Sequence, residues 1–250
     1  MSTERRTDQG GSRSGCLSGI AVAIGCVLFL GGFVWGALLY QPYTVPTNSM
    51  APTIEAGQRV LAQRIDADEV RRGDVVVFRE KDWGDLPMVK RVVAVGGDEI
   101  ACCDAQGRMT VNGKPVEEPY LPASARDTGT DFPPTTVPEG RIFLLGDDRS
   151  ISLDSSTHLE DAANGTVPLD GVDARVEAIA WPMEGMLPEA SGFKALPGGI
   201  SEHGPLRMIM ASVIGGAVLV LGGAAYGPIA RLVGKGGRRS AGRGAAAGAR

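Results

Sequence analysis

The stretch LSGIAVAIGCVLFLGGFVWGALLY, residues 17–40, decides how the rest of the chain is arranged. It carries no charged residue and exceeds the roughly 20 helical residues needed to cross a bilayer core. A cleaved secretory signal is the competing interpretation, but such signals have shorter apolar regions, and no A-x-A-like cleavage site follows the run. We therefore predict a permanent transmembrane helix over residues 17–40. Gly32 and Gly36, four residues apart, would let a second helix approach closely.

A second apolar run, rich in glycine, extends from Leu206 to Ile229 and is spanning-length. Lysine and arginine favour the cytoplasmic side of membrane spans. Basic residues precede the first run and follow the second run in the sequence. They are Arg5, Arg6, Arg13, Arg231, Lys235, Arg238, Arg239, Arg243 and Arg250. We expect residues 1–16 and 230–250 in the cytoplasm, and residues 41–205 outside. The basic tail should be disordered and drawn to anionic lipid.

The external segment has the pattern of a mainly β domain. Asn112-Gly113 between short apolar runs predicts a hairpin turn, and residues 117–138, rich in Pro, Thr, Ala and Asp, predict a long exposed loop. Short runs rich in Val, Ile and Phe predict strands. These runs are Arg59–Arg64, Asp74–Phe78, Val89–Val95, Met109–Val111, Arg141–Leu145 and Val176–Ala180.

The composition argues against a metalloprotein. The chain of 250 residues has a formal net charge of -4, two histidines and four cysteines. The cysteines lack metal-ligand spacing, so we expect no metal and no cofactor. Cys102-Cys103 are adjacent, and either a vicinal disulfide or two inert thiols on a strand fits the sequence.

A candidate nucleophile lies just beyond the first apolar run, in Val45-Pro46-Thr47-Asn48-Ser49-Met50-Ala51-Pro52-Thr53. Each proline fixes its own φ and pushes the preceding residue toward extended backbone, so the segment is stiff and non-helical. A serine held this way suits attack on an extended peptide. An ordinary turn serine is the alternative.

A serine hydroxyl needs a base to take its proton. His158 follows a polar run and is interpreted as solvated loop, and His203 lies beside the second span. Lys90 is embedded in the apolar run Met88–Val95, and burial would lower its pKa toward neutrality. Strand alternation places Lys90 with Met88 on one face, but Arg91 also has valine neighbours, so the pattern does not decide which face is buried. An exposed edge-strand lysine is the alternative.

A third cluster, Leu144–Ser155, combines a strand end with hydroxyls, carboxylates and an arginine. Such a loop can hold a lysine through a hydroxyl hydrogen bond and brace itself with an Asp–Arg pair. A calcium loop is the competing interpretation, but the Asp spacing does not match an EF-hand and no Glu closes it.

Together these clusters resemble the bacterial type I signal peptidases, in particular an actinobacterial-like form with a second span near its C-terminus. The resemblance covers roughly residues 17–182 and rests on several ordered motifs. They are Ser49-Met50-x-Pro52-Thr53, Arg72-Gly73-Asp74-Val75-Val76-Val77-Phe78, Lys90-Arg91-Val92-Val93-Ala94-Val95-Gly96-Gly97-Asp98, Val137-Pro138-x-Gly140, Gly146-Asp147-Asp148-Arg149-x-x-Ser152-x-Asp154-Ser155, Gly165-x-Val167-Pro168 and Trp181-Pro182.

The resemblance implies an external antiparallel, barrel-like β domain tethered by two transmembrane helices. It implies a serine endopeptidase that removes signal peptides from exported preproteins after small, A-x-A-like residues, near the membrane lipid and the secretion translocon, with no nucleic-acid partner. Ser49 would be the nucleophile and neutral Lys90 the general base, with the Ser49 N–H and the Thr47 hydroxyl as oxyanion hole. The implied supporting and pocket residues are Ser152, Asp154, Arg149, Val45, Met50, Ile54, Met88 and Val89.

Three positions depart from the family pattern: Asp148 replaces an Asn, Ile151 replaces another Asn, and Ser156 stands where an Arg is common. A lost arginine would remove one brace of Asp154. These departures support an alternative, a catalytically impaired membrane-anchored binding or scaffold protein. A self-cleaving repressor-type Ser/Lys protease is a further alternative, but it would carry a DNA-binding front end and lie in the cytoplasm.

Overall fold

The computed structural model describes the backbone of residues 10–122 and 131–244, and the side chains of residues 16–122 and 131–226. The chain divides into two compact units. One contains the helices, up to Leu38 and again from Pro205, and the other runs from Leu39 to Gly204. The predicted N-terminal arm before residue 10, the last six residues, and residues 123–130 of the predicted loop lie outside the described part.

The helical unit contains α1 (Gly10–Leu39) and α2 (Leu206–Gly244). Cys16–Leu39 and Leu206–Tyr226 are apolar enough to cross a membrane, with mean hydropathies of 2.3 and 2.1. The prediction of disorder from residue 230 is wrong for residues 230–244, whose backbone continues α2. Seven of these fifteen residues are alanine, arginine or lysine, which favour a helix, although five glycines oppose it.

Glycines let α1 and α2 touch within this unit. A Cβ on Gly216 would lie 2.7 Å from the Gly25 carbonyl oxygen, and one on Gly32 would lie 3.0 Å from Val213. The Ser212 hydroxyl donates to the Leu28 carbonyl oxygen at 3.0 Å. A Cβ on Gly36 would lie 3.2 Å from Ile209, so the close approach predicted for Gly32 and Gly36 is confirmed.

The second unit is mainly β, as predicted. In chain order its described strands are β1 (Tyr40–Thr44), β2 (Arg59–Gln63), β3 (Val75–Phe78), β4 (Met88–Val95), β5 (Glu99–Cys102), β6 (Thr110–Val111), β7 (Lys114–Pro115), β8 (Phe132–Thr136), β9 (Arg141–Leu145), β10 (Val167–Pro168), β11 (Val172–Trp181) and β12 (Gly185–Met186). The main sheet is antiparallel, in the order β1-β2-β11-β3-β4-β9-β10, with β12 paired to β11, and a smaller sheet has the order β7-β6-β5-β8.

The predicted hairpin is confirmed. Asn112 and Gly113 connect β6 to β7 with φ of 53° and 71°, the left-handed pair that a tight type I′ turn needs. Cys102 and Cys103 form a disulfide, which settles the choice left open by the sequence.

The prediction of one long exposed loop over residues 117–138 is wrong in its described parts. Glu118, Leu121 and Val137 are buried, and Phe132 begins β8 and is also buried. The Pro/Thr-rich composition hides these anchors because they are isolated apolar residues in a polar sequence. In the described parts of the segment, Phe132 and Val137 therefore pack in the core instead of lying in solvent.

β4 is an interior strand, paired with β3 on one side and β9 on the other. Its residues are buried from Lys90 to Ala94. On one face Val92 belongs to a core cluster with Phe78 and Leu144, and on the other Val93 packs with Phe143. A charged side chain on either face of β4 is consequently removed from water.

Candidate active site

Ser49 lies in the segment that connects β1 to β2, and hydrogen bonds fix both ends of this segment. The Val45 N–H donates to the Gln58 carbonyl oxygen at 2.9 Å, and the Ile54 N–H to the Met50 carbonyl oxygen at 2.8 Å. The Asn48 side-chain oxygen accepts from the Ala56 N–H at 2.9 Å. The half-buried Ser49 is thus held on a backbone with little freedom, as the flanking prolines predict.

Lys90 is buried, with 4% of its surface exposed. Its Nζ donates to the Ser152 Oγ at 2.8 Å. Burial lowers the pKa of Lys90, and the nearby carboxylates of Asp154 and Asp147 oppose this effect without cancelling it. The edge-strand alternative is excluded because β4 is an interior strand, and the neutral amine is favoured relative to a lysine in water.

Ser49 and Lys90 line the same groove, which has a volume of about 330 Å³. The segment that follows β9 contacts both residues, because it hydrogen-bonds to the Ser49 backbone and to the Lys90 side chain. The Asp148 N–H donates to the Ser49 carbonyl oxygen at 3.1 Å, and a Cβ on Gly146 would collide with both that oxygen and the Ser152 side chain. Glycine is therefore required here to let the serine segment approach the hydroxyl that holds the lysine.

Thr47 is exposed at the groove, and its Oγ1 lies 3.3 Å from the Ser49 Oγ. A hydroxyl at this distance from the nucleophilic oxygen can donate to an oxyanion that forms on a carbonyl under attack. The Thr47 position is consistent with the role that the resemblance implies.

Asp154 stabilises the loop that carries Ser152. Its carboxylate accepts from the Gly146 N–H at 2.8 Å and caps the 3₁₀ turn Ser155–His158. The Ser156 Oγ also donates to this carboxylate, at 2.7 Å. We expected the absence of an arginine at position 156 to remove a brace of Asp154. Ser156 is shorter than arginine, but it still hydrogen-bonds to the Asp154 carboxylate. The other two departures are harmless to this geometry: Asp148 contributes its backbone N–H, and Ile151 is exposed on the groove.

Arg149 braces the same loop from the far side. Its Nε donates to the Gly146 carbonyl oxygen at 3.0 Å, and its guanidinium pairs with the buried carboxylate of Glu118. Burial acts to lower the pKa of Arg149, but Glu118 outweighs it and the pKa is raised. Arg149 is thus a permanently charged structural support.

Arg91, on the opposite face of β4 from Lys90, forms a bidentate pair with Asp147, at 2.8 and 2.6 Å. Its guanidinium lies 3.9 Å from the centre of the Tyr120 ring, and the Tyr120 hydroxyl donates to Glu118 at 2.7 Å. Burial raises the pKa of Tyr120 well above its ordinary value, with Glu118 adding to the effect. This buried network fixes Asp147, the residue after Gly146. It therefore also fixes the start of the loop that carries Ser152.

Of the five residues implied for the substrate pocket, Val45, Met88 and Val89 line the groove. Met50 and Ile54 do not. Both are fully buried in a core cluster with Val45, and Val89 packs against this cluster. The hydrogen-bonded turn from Met50 to Ile54 directs both side chains into the interior, so they support the groove from beneath.

Several groove residues were not predicted. They are Pro46, Trp83, Leu86, Pro87, Ile151 and Leu153. Ile151 and Leu153 flank Ser152 in the sequence, and this proximity could have identified them. Leu86 and Pro87 directly precede Met88 and could have been identified in the same way, whereas Trp83 reaches the groove through the loop that joins β3 to β4.

The two histidines lie outside the groove lining. His158 was interpreted as solvated loop, but it is half-buried and stacks on Trp83 with ring centres 4.4 Å apart. His203 is half-exposed and 3.9 Å from a Glu189 carboxylate oxygen. Neither residue lines the groove that contains Ser49.

Comparison with known proteins identifies the family. The family model for signal peptidase, peptidase S26, matches residues 17–181. Signal peptidase I of Mycobacterium tuberculosis (strain ATCC 25618 / H37Rv) is 32% identical over 213 residues, which cover 65% of this chain and 71% of the relative.

Signal peptidase I of Bacillus licheniformis is 32% identical over 169 residues, covering 64% of this chain and 86% of that protein. The crystal structure of a signal peptidase I from Enterococcus faecalis V583 is 24% identical, covers 48% of this chain and 97% of that chain, and gives a TM-score of 0.33. On the family match over residues 17–181, the chain belongs to the signal peptidase family, peptidase S26.

Proposed function

We propose that the protein is a membrane-bound serine endopeptidase that removes signal peptides from exported preproteins. The observation that carries this proposal is the buried Lys90 amine, hydrogen-bonded to Ser152 and opening on the same groove as Ser49. The family membership and the names of the relatives, signal peptidase I, supply the substrate class.

In this proposal the neutral Lys90 amine takes the proton of the Ser49 hydroxyl as its oxygen attacks the scissile carbonyl carbon. The carbonyl oxygen becomes an oxyanion that accepts from the Ser49 N–H and the Thr47 hydroxyl. As the intermediate collapses, the Lys90 ammonium returns its proton to the leaving amine. Water then attacks the acyl-enzyme ester while Lys90 takes one of its protons. Lys90 passes this proton to the departing Ser49 oxygen, which restores both side chains, and the new carboxylic acid leaves and loses its proton to solvent.

The groove supports cleavage after small residues. Val45 and Val89 wall the groove beside Ser49, and Met50 and Ile54 fill the space behind them. Because a packed core beneath the groove leaves no deep cavity, side chains of alanine size are favoured next to the attacked carbonyl. We propose A-x-A-like cleavage sites on this basis.

We also propose that residues 17–40 and 206–229 span the plasma membrane, with both termini in the cytoplasm and residues 41–205 outside. The first span has no charged residue, the second carries only Arg207 in its first turn, and basic residues lie beyond the spans, which together support this arrangement. The substrates would reach the groove at the lipid surface, after translocation. Protease protection of a C-terminal tag in sealed inside-out and right-side-out vesicles tests the orientation.

The decisive assay uses the full chain in detergent with a preprotein that has an A-x-A site. We expect the product of a single cleavage with wild type, and none with Ser49→Ala or Lys90→Met. Thr47→Ala should lower kcat by about 10²–10³-fold, and metal chelators should leave the rate unchanged. Equal behaviour of wild type and Ser49→Ala would instead support the impaired binding or scaffold protein suggested by the altered Gly146–Ser155 motif.

A further inference from the structure

Besides Val45, Met88 and Val89, the groove is lined by an apolar wall that consists of Trp83, Leu86, Pro87, Ile151 and Leu153. Leu86 is 70% exposed, Ile151 57% and Leu153 72%. A substrate that presented only the alanine side chains of an A-x-A site would leave these apolar surfaces exposed to water. The wall is therefore an apolar site that the catalytic chemistry of Ser49 and Lys90 does not use.

Trp83 is held in a fixed orientation. Its ring stacks on His158, with centres 4.4 Å apart and planes 14° apart, and meets Phe78 edge-on at 5.9 Å. The Asp161 carboxylate lies 2.8 Å from the His158 Nδ1 and fixes that ring in turn. Aromatic pairs in these geometries stabilise each other beyond their buried area, so the Trp83 indole is held in place before a substrate binds.

The segment from Ser152 to His158 links this wall to the catalytic lysine. Ser152 accepts from Lys90, and His158 ends the 3₁₀ turn that Asp154 caps. One short segment thus positions both the general base and the aromatic wall. A residue bound against Trp83 would therefore lie in a fixed register with the attacked bond.

The sheet register gives the distance along the groove. Trp83 contacts Phe78, which pairs with Met88, two residues before Lys90 on β4. A strand advances about 3.4 Å per residue, so Trp83 lies at a level roughly 7 Å from the lysine. At the same rise per residue, an extended substrate would bring a side chain there roughly two positions from the residue beside Lys90.

We infer that Trp83 is a specificity-determining residue, which binds one large apolar side chain of the substrate at a fixed distance from the cleaved bond. This inference rests on the proposed endopeptidase function. The Trp83 site would make the enzyme prefer a bulky substrate residue at one position, in addition to the small residues of the A-x-A site. His158 is a positioning residue, since it acts through the Trp83 ring.

The test uses a set of peptides with an A-x-A site in which Phe replaces Ala at one position at a time. For wild type we expect one position, on one side of the bond, where Phe raises kcat/KM by roughly tenfold, in line with the burial of a few carbons. Trp83→Ala should reduce that preference to within about twofold. His158→Phe, which keeps a stacked ring, should retain it, and His158→Ala should lose part of it.

Trp181→Ala is the matched control, because Trp181 is 67% exposed and outside the groove lining. It should leave the preference and the rate unchanged. The inference is overturned if no position favours Phe in wild type, or if Trp83→Ala lowers cleavage of the Ala and Phe peptides equally.

Binding to inactive protein separates this inference from the proposed function. In the Ser49→Ala background, the dissociation constant of the preferred Phe peptide should be roughly tenfold below that of the Ala peptide, and Trp83→Ala should remove the difference. Wild type that cleaves nothing would refute the endopeptidase, whereas equal binding of both peptides to Ser49→Ala protein would refute the Trp83 site.

Discussion

Replacing Gly146 by alanine should inactivate the protein while leaving it folded. The added Cβ would collide with the Ser49 carbonyl oxygen and lie 2.5 Å from the Ser152 Cβ. Carbon atoms in contact are normally about 3.5–4.0 Å apart, so one of the two segments must withdraw by about 1 Å. Either movement separates the nucleophile from the lysine that Ser152 holds.

The magnitude follows from this displacement. A misplacement of about 1 Å at a catalytic group can cost on the order of 10²-fold in rate, or about 2.7 kcal/mol of transition-state stabilisation. Overpacking should also lower the free energy of unfolding by about 1–3 kcal/mol. Loss of stability alone does not explain a loss of kcat/KM in protein that remains folded at the assay temperature.

Gly171→Ala supplies the matched control. A Cβ there would lie 2.7 Å from the Arg79 carbonyl oxygen, outside the groove lining, so it should lower the thermal unfolding temperature without lowering kcat/KM. Both variants are compared by cleavage of an A-x-A preprotein and by thermal unfolding in the same detergent. If folded Gly146→Ala protein keeps kcat/KM within about threefold of wild type, the close approach of the two segments is not what catalysis depends on.

Three further predictions test other parts of the molecule. Burial lowers the pKa of Lys90, and the neutral amine is the active form, so kcat/KM measured against pH should fall as pH drops through a limb below about 10.4. Arg91→Met leaves the Asp147 carboxylate buried without its bidentate partner and should cost about 3–5 kcal/mol in denaturant unfolding, against an exposed-arginine control within about 0.5 kcal/mol. Gly216→Leu should separate the two helices, because a Cβ there already meets the facing backbone, whereas Gly222→Leu on an open face should not. Unfolding in detergent measures this last difference, and equal losses would contradict the packing.

The sequence points to the proposed catalytic pair because each residue breaks a local pattern. Ser49 lies between two prolines in a stiff segment, and Lys90 interrupts an otherwise apolar strand. Ser152 is less conspicuous among several hydroxyls, and the motif resemblance identified it. Ser49 and Lys90 line one groove, and Ser152 hydrogen-bonds to Lys90, because β4 is interior and the loop after β9 contacts the serine segment.

What the sequence does not predict depends on side-chain direction and long-range contact. Met50 and Ile54 are near Ser49 in the chain, but their turn directs them into the core. Trp83 and His158 are 75 positions apart, and no local period relates them. The exposed-loop prediction for residues 117–138 missed Glu118, because the charge partner that stabilises this buried carboxylate, Arg149, is distant in the sequence.

The two adjacent cations of β4 explain how one strand can carry both a structural charge and a base. Alternation sends Lys90 and Arg91 to opposite faces, and both are buried. Burial alone would lower both pKa values, but Arg91 meets a bidentate carboxylate and its pKa is raised. Lys90 donates instead to a hydroxyl, which neutralises no charge, so its pKa stays lowered. The partner on each face therefore decides which cation keeps its proton and which, in the proposed mechanism, accepts one from Ser49.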